Sequence, residues 1–139
     1  MKIEPLIASD QIQKRIKVLA KEIERDFKGS SEVTVIGVLK GAFMFMSDLV
    51  RHIEMPVRCD FLRVSSYVND VDTGAIRMDF DLTQSIAGSD VLLVEDIVDS
   101  GKTLRYLLEH LHAKKPGKLK VASLLYKDVG KARDLIDYV

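Results

Sequence analysis

Glu95, Asp96 and Asp99 run directly into Ser100-Gly-Lys-Thr103. This spacing sets carboxylates able to hold a diol or a divalent cation beside a loop able to hold an anion. The flanks say how such a loop is mounted. Val91 to Val94 is a continuous apolar run of the kind found in a parallel strand covered on both faces. Leu104, Leu107, Leu108 and Leu111 repeat at i, i+3, i+4 and i+7, the mark of a helix with one core face. In open α/β sheets, ligands sit beyond the carboxyl ends of the strands, which is where Asp99 to Thr103 falls. Gly101 permits close backbone approach, and free N–H groups at the helix start are expected to face an anion. A Walker A loop is excluded, because that motif has a glycine five residues before its Gly-Lys pair and Asp96 stands there. A carboxylate at that point would repel a triphosphate. The expected ligand is a sugar with free hydroxyls next to a phosphate.

The other elements repeat this plan. Ser9 or Asp10 can cap a helix whose apolar face is Ile12, Ile16, Leu19, Ile23 and Phe27, with Gly29 as its stop. Val33 to Val38 reads as a second buried strand, followed by Leu39-Lys40-Gly41-Ala42 and a helix from Phe43 to about His52. Lys40 and Gly41 form a second candidate anion site, a lysine with backbone donors at a strand's carboxyl end. Period-two patterning over Val57 to Val64, and at Ile76, Met78, Phe80 and Leu82, predicts a pair of strands. The polar stretch from Ser65 to Gly74 between them is long for a turn, as functional or mobile loops are. Leu119 to Leu125 predicts another strand, with Lys127 at its carboxyl end. Cys59 alternates with Val57 and Phe61 as a small buried strand residue would. His52, His110 and His112 read as bystanders, the last two lying two residues apart and so unable to share a helix face as zinc ligands.

With 139 residues, 47% hydrophobic and 30% charged, the chain fits one compact domain over residues 1–139. Twenty-one basic residues balance twenty-one acidic ones, so net charge argues for neither nucleic acid nor membrane as partner. The start, Met-Lys-Ile-Glu-Pro, lacks a signal peptide's apolar run, and no stretch reaches the roughly eighteen apolar residues of a membrane span. A cytoplasmic protein is the default expectation. A single cysteine, Cys59, excludes an intramolecular disulfide and a multi-thiolate metal site.

Val91 to Thr103 resembles the 5-phosphoribosyl 1-pyrophosphate (PRPP) signature of type I phosphoribosyltransferases, with wording most like the hypoxanthine (hypoxanthine-guanine) phosphoribosyltransferases. The resemblance implies a doubly wound α/β fold with a mainly parallel sheet flanked by helices. It implies transfer of the 5-phosphoribosyl group from PRPP to N9 of hypoxanthine or guanine, giving IMP or GMP and pyrophosphate, with Mg2+ as cofactor. Leu39-Lys40-Gly41 matches the family's pyrophosphate loop, whose Leu–Lys peptide is typically cis. Ser66-Tyr67 matches its flexible catalytic lid, which would keep water from an electron-deficient ribosyl centre. Glu95 and Asp96 would bind the ribose hydroxyls directly or through magnesium. Asp99 would lie beside N7 of the purine as general acid/base. Ser100, Gly101, Lys102 and Thr103 would cradle the 5-phosphate, and Lys127 would donate to O6, rejecting the 6-amino group of adenine. A homo-oligomer, dimer or tetramer, is also implied.

In the family a further segment follows the equivalent of Asp137-Tyr-Val139 and supplies an aromatic residue that stacks on the purine. The expectation is therefore an incomplete hood subdomain and a base pocket open on one side, in a truncated form of a longer enzyme rather than a short homologue. On that expectation residues 1–139 bind phosphate better than base and are weakly active or inactive alone. A different class, a non-catalytic regulator that binds PRPP or nucleotide on the same fold, also fits the motifs. Retention of Asp99 and Ser66-Tyr67 favours the enzyme, and the short C-terminal end favours the regulator.

Overall fold

Val33–Leu39 (β1) and Asp90–Val98 (β4) run side by side and parallel, and each distributes its apolar residues alternately between two cores. Val33 and Val35 of β1, with Leu92 and Val94 of β4, face one core; Ile36 and Val38, with Val91 and Leu93, face the other. A strand covered on both faces has no polar side to show, which is why these two segments read as unbroken apolar runs. The computed structural model describes residues 3–66 and 75–139.

The first core is closed by Ser9–Asp26 (α1), through Ile16, Leu19 and Ile23, and by Phe43–Val50 (α2), through Phe45, Met46 and Leu49. The second is closed by Lys102–His112 (α3), through Leu104, Leu107 and Leu111. Val57–Ser66 (β2), Ile76–Phe80 (β3) and Lys118–Tyr126 (β5) complete a five-stranded sheet in the order β3-β2-β1-β4-β5. All neighbours are parallel except β2 and β3. A short 3-10 turn, Arg133–Leu135, leads to a bridge between Tyr138 and Ala122 on the outer side of β5. Gly37 in β1 lets α2 lie close, since a Cβ there would collide with the Met46 sulfur and approach the Phe61 ring at 3.2 Å.

Strand order reverses between β1 and β4, because the chain steps outward from β1 to β2 and later from β4 to β5 in the opposite direction. Their pairing stops at Gly37–Val94, whereas β1 continues with β2 to Leu39–Arg63 and β4 continues with β5 to Val98–Tyr126. A crevice opens between the carboxyl ends of β1 and β4, the place where open α/β sheets take their ligands.

Several local expectations differ from the structure. Ala8, not Ser9 or Asp10, is the N-cap of α1, and the Gln11 side chain accepts from its N–H at 3.3 Å. α2 ends at Val50 rather than near His52, and β3 ends at Phe80, leaving Leu82 in the connection to β4. Cys59 is exposed rather than buried, although Val57 and Phe61 on either side pack against the first core. His110 does have a partner, since its ring meets the Asp81 carboxylate at 3.0 Å and stacks on Tyr106. Lys114 reaches the other Asp81 oxygen at 3.3 Å, so α3 is clasped to the β3–β4 connection. Among the described residues no helix is long and apolar enough to cross a membrane.

Candidate active site

The two acids that follow the apolar run of β4 diverge, as successive strand residues must. Glu95 is 7% exposed and lines a cleft of about 190 Å³ with Ile97, Val98, Asp99, Gly101, Thr103 and Leu104. The Asp96 carboxylate turns the other way, toward the loop after β1: a Cβ on Gly41 would lie 2.7 Å from its Cγ. Asp96 Oδ1 also accepts from the Ile97 N–H at 2.8 Å. A side chain at Gly41 would thus require that carboxylate to shift. Leu39, Lys40 and Gly41 stand at the carboxyl end of β1, the Leu39–Lys40 peptide is cis, and Lys40 is exposed.

The electrostatics of the pair follow from this geometry. Burial, reinforced by the Asp96 charge, pushes the Glu95 carboxyl up to about 8, since desolvation and a like charge both disfavour the ionised form. Glu95 is therefore largely protonated at neutral pH in the free protein. Among the described residues no cluster of three or more His, Cys, Asp or Glu side chains could cage a metal. Magnesium does not require one, because it commonly takes one or two carboxylates together with substrate oxygens and waters. Hard oxygen donors whose ionised form lacks compensation fit that role.

The Ser100–Thr103 loop differs from expectation in one respect. Gly101 takes φ 86° as the N-cap of α3, a left-handed conformation glycine adopts without penalty. Two neighbouring N–H groups already have local acceptors. The Ser100 N–H points to Asp99 Oδ1 at 2.5 Å and the Lys102 N–H to Ser100 Oγ at 3.4 Å. Asp99, Ser100 and Lys102 are exposed, and Thr103 is half-buried at the cleft.

Lys127 is exposed just past β5, and its N–H donates to the Val98 carbonyl at 2.8 Å, which brings it to the carboxyl end of β4. Ser66, exposed, ends β2 opposite Ile76 of β3, while Tyr67 lies outside the described residues. The structure thus gathers the Lys40 loop, Glu95, Asp96, Asp99, the Ser100–Thr103 loop and Lys127 around one crevice. Two further residues join them. Ile97 lines the cleft, and Arg105 on the first turn of α3 donates to the Ser100 carbonyl at 3.1 Å. The signal for Arg105 was its position four residues past Gly101, one helical turn up the same face.

Residues 6–139 match the family model described as "Phosphoribosyl transferase domain". The chain belongs to the phosphoribosyl transferase family. Its relatives there include the hypoxanthine-guanine phosphoribosyltransferase of Dictyostelium discoideum, 43% identical over 134 residues that cover 94% of this chain and 74% of that protein. The crystal structure of a hypoxanthine-guanine phosphoribosyltransferase from Bacillus anthracis superposes with a TM-score of 0.89 at 41% identity, covering 100% of this chain and 82% of that one. The hypoxanthine phosphoribosyltransferase of Trypanosoma cruzi in complex with the product IMP gives 0.82 at 38%, covering 99% and 82%.

Proposed function

We propose that this chain serves purine salvage by transferring the 5-phosphoribosyl group of PRPP to N9 of hypoxanthine or guanine, releasing pyrophosphate and forming IMP or GMP. The observation that carries the reading is the meeting of the Lys40–Gly41 loop with the Asp96 carboxylate across the β1–β4 crevice. A ribosyl group held there has a diphosphate site on one side and a monophosphate loop on the other. The relatives named hypoxanthine-guanine phosphoribosyltransferase support the substrate class and favour the enzyme over the non-catalytic regulator.

Each residue then has a task. Lys40 and the backbone donors of Leu39–Gly41 take the departing pyrophosphate. Glu95 and Asp96 hold the ribose hydroxyls, and with substrate oxygens they would hold Mg2+, which when bound offsets charge on the pyrophosphate. Ser100, Gly101, Lys102 and Thr103 receive the 5-phosphate. For the Ser100 N–H to join in, the Asp99 carboxylate must release it, and a turn of Asp99 toward the purine N7 achieves both. Lys127 donates to O6. Ser66 and Tyr67 belong to the lid. Residues 1–139 act as one phosphoribosyltransferase domain. Its substrates are soluble metabolites, so the cytoplasm is its expected compartment, with neither nucleic acid nor membrane as partner, and a homo-oligomer is its expected assembly.

Release of pyrophosphate from PRPP with magnesium and hypoxanthine tests the reading, with adenine as the control base. Formation of IMP, by this chain or by a version extended with a family-like C-terminal segment, supports it, and PRPP binding by both without turnover on any 6-oxopurine would mark a regulator instead. Asp99→Asn should keep PRPP affinity while lowering turnover by roughly 10²–10⁴-fold, measured at saturating substrates. Unchanged turnover would remove Asp99 from the chemistry.

A further inference from the structure

The phosphate loop does not stand alone. Arg105 projects from the first turn of α3 and donates through Nη1 to the Ser100 carbonyl at 3.1 Å. Through Nη2 it makes a longer contact, 3.5 Å, with the carbonyl of Lys131. Lys131 belongs to the segment that follows Lys127, and this segment is pressed against the loop at other points as well. A Cβ on Gly101 would meet the Ala132 Cβ at 2.6 Å, and one on Gly130 would meet the Ser100 Cα at 3.4 Å. The Lys127 N–H donates to Val98, one residue before Asp99, and the Tyr126 hydroxyl closes the segment onto the Gly130 carbonyl at 3.2 Å. The guanidinium is a planar fork able to serve two carbonyls at once, which an ammonium on a flexible stem does not reproduce.

We propose that Arg105 is a positioning residue that ties the phosphate loop to the segment carrying Lys127, so that phosphate binding and base placement are energetically linked. The inference rests on the phosphoribosyl-transfer reading for its ligands and on the bridging geometry for its mechanism. Arg105 itself touches no substrate. It holds the Ser100 carbonyl, fixing the peptide plane ahead of Gly101, and transmits any shift of that plane to Lys131 and back toward Lys127.

The test uses IMP binding and hydrogen exchange on the full chain, with Arg105→Met, Arg105→Lys, Lys127→Ala and the Arg105→Met/Lys127→Ala double variant. Arg105→Met keeps an unbranched stem and should weaken IMP by about tenfold, the scale of a lost hydrogen bond to a charged group. Arg105→Lys keeps the charge but not the fork, and should recover less than half of that loss on a logarithmic scale. In the double variant the two losses should fall short of additive by at least about threefold, as linked sites do. Amide exchange in the free protein should rise in Arg105→Met at residues 99–103 and 128–132 together. Full recovery by Arg105→Lys would mean that the charge acts on the phosphate directly, and strictly additive losses would mean that the two sites are independent. Either result overturns the proposal, as does a rise in exchange confined to one of the two segments. A wild-type chain that binds neither IMP nor PRPP would sink the enzyme reading instead, while the exchange comparison would still decide whether Arg105 bridges the two segments.

Discussion

At Gly41 a single methyl group would fall on the Asp96 carboxylate. Gly41→Ala would place its Cβ against the Asp96 carboxylate, so either that carboxylate or the loop must move. PRPP affinity should fall by more than tenfold while the melting temperature moves little, because the loop lies at the surface; binding calorimetry beside a thermal melt reads both. Glu95 makes a second residue-scale prediction, with a definite sign. Its pKa is raised from 4.5 to about 8, so between those values the folded state binds more protons than the unfolded one. Stability must therefore fall as pH rises through this window. The loss should be on the order of 3–5 kcal/mol, and Glu95→Gln should remove that part of the slope in urea titrations from pH 5 to 9. A variant with the same slope as the parent would mean that Glu95 is ionised throughout. The candidate residues were legible because acids directly after an apolar run, and glycine at a strand-to-helix turn, are unusual enough to stand out locally. The capture of the Ser100 N–H by Asp99, and the reach of Arg105 to Lys131, were not legible. Such side-chain contacts with backbone groups depend on rotamers and on segments 26 positions apart, as Arg105 and Lys131 are.

Among the elements, β1, β4 and α3 were the plainest in the sequence, because two-sided burial and a one-faced helix leave patterns that side-chain chemistry does not blur. The ends of α1, α2 and β3 were less so, since a cap or a last strand residue is set by one or two contacts rather than by periodicity. The His110–Asp81–Lys114 clasp shows the same limit: neither charge pattern nor spacing pairs residues 29 positions apart. Burial alone would raise the Asp81 carboxyl, but hydrogen bonds from His110 and the Leu82 N–H outweigh it and hold it below its ordinary value. The clasp therefore contributes stability above the ordinary carboxylate range and loses it as pH falls through the depressed value. Asp81→Asn should lower stability at pH 7 by about 0.5–1 kcal/mol, as a partly exposed pair does. The deficit should shrink as pH falls through the depressed value. A pH-independent deficit would trace the effect to packing.

On the scale of the whole molecule, the proposed ligand site lies between β1 and β4, the two strands that serve both cores. IMP or GMP should raise the melting temperature in proportion to its affinity, with about 2.7 kcal/mol of stabilisation when the ligand stands at a hundred times its dissociation constant. AMP, whose 6-amino group is a donor and would face the Lys127 ammonium in the proposed reading, should give a clearly smaller shift at equal concentration. Equal shifts for IMP and AMP would leave the phosphate and ribose as the only groups recognised. With equal numbers of acidic and basic residues the chain has no net charge to draw anions in, and IMP and AMP carry the same phosphate, so discrimination between them must come from contacts to the base.

The early end of the β1–β4 pairing has a consequence for how such a site can change. The two strands are zipped from Val33–Asp90 to Gly37–Val94 and then part company, each held by its outer neighbour. The fork at Gly37 fixes the width of the mouth, much as the last closed tooth fixes the spread of an open zipper. Widening it would undo hydrogen bonds between two strands buried on both faces, and narrowing it would pull each strand away from the neighbour that holds it. A variant selected to accept a different base should therefore leave Val33–Gly37 and Asp90–Val94 untouched and carry its changes at Lys127 and in the loops. Any substitution that altered the fork should register first as a loss of folding, before any change of preference between bases could be seen.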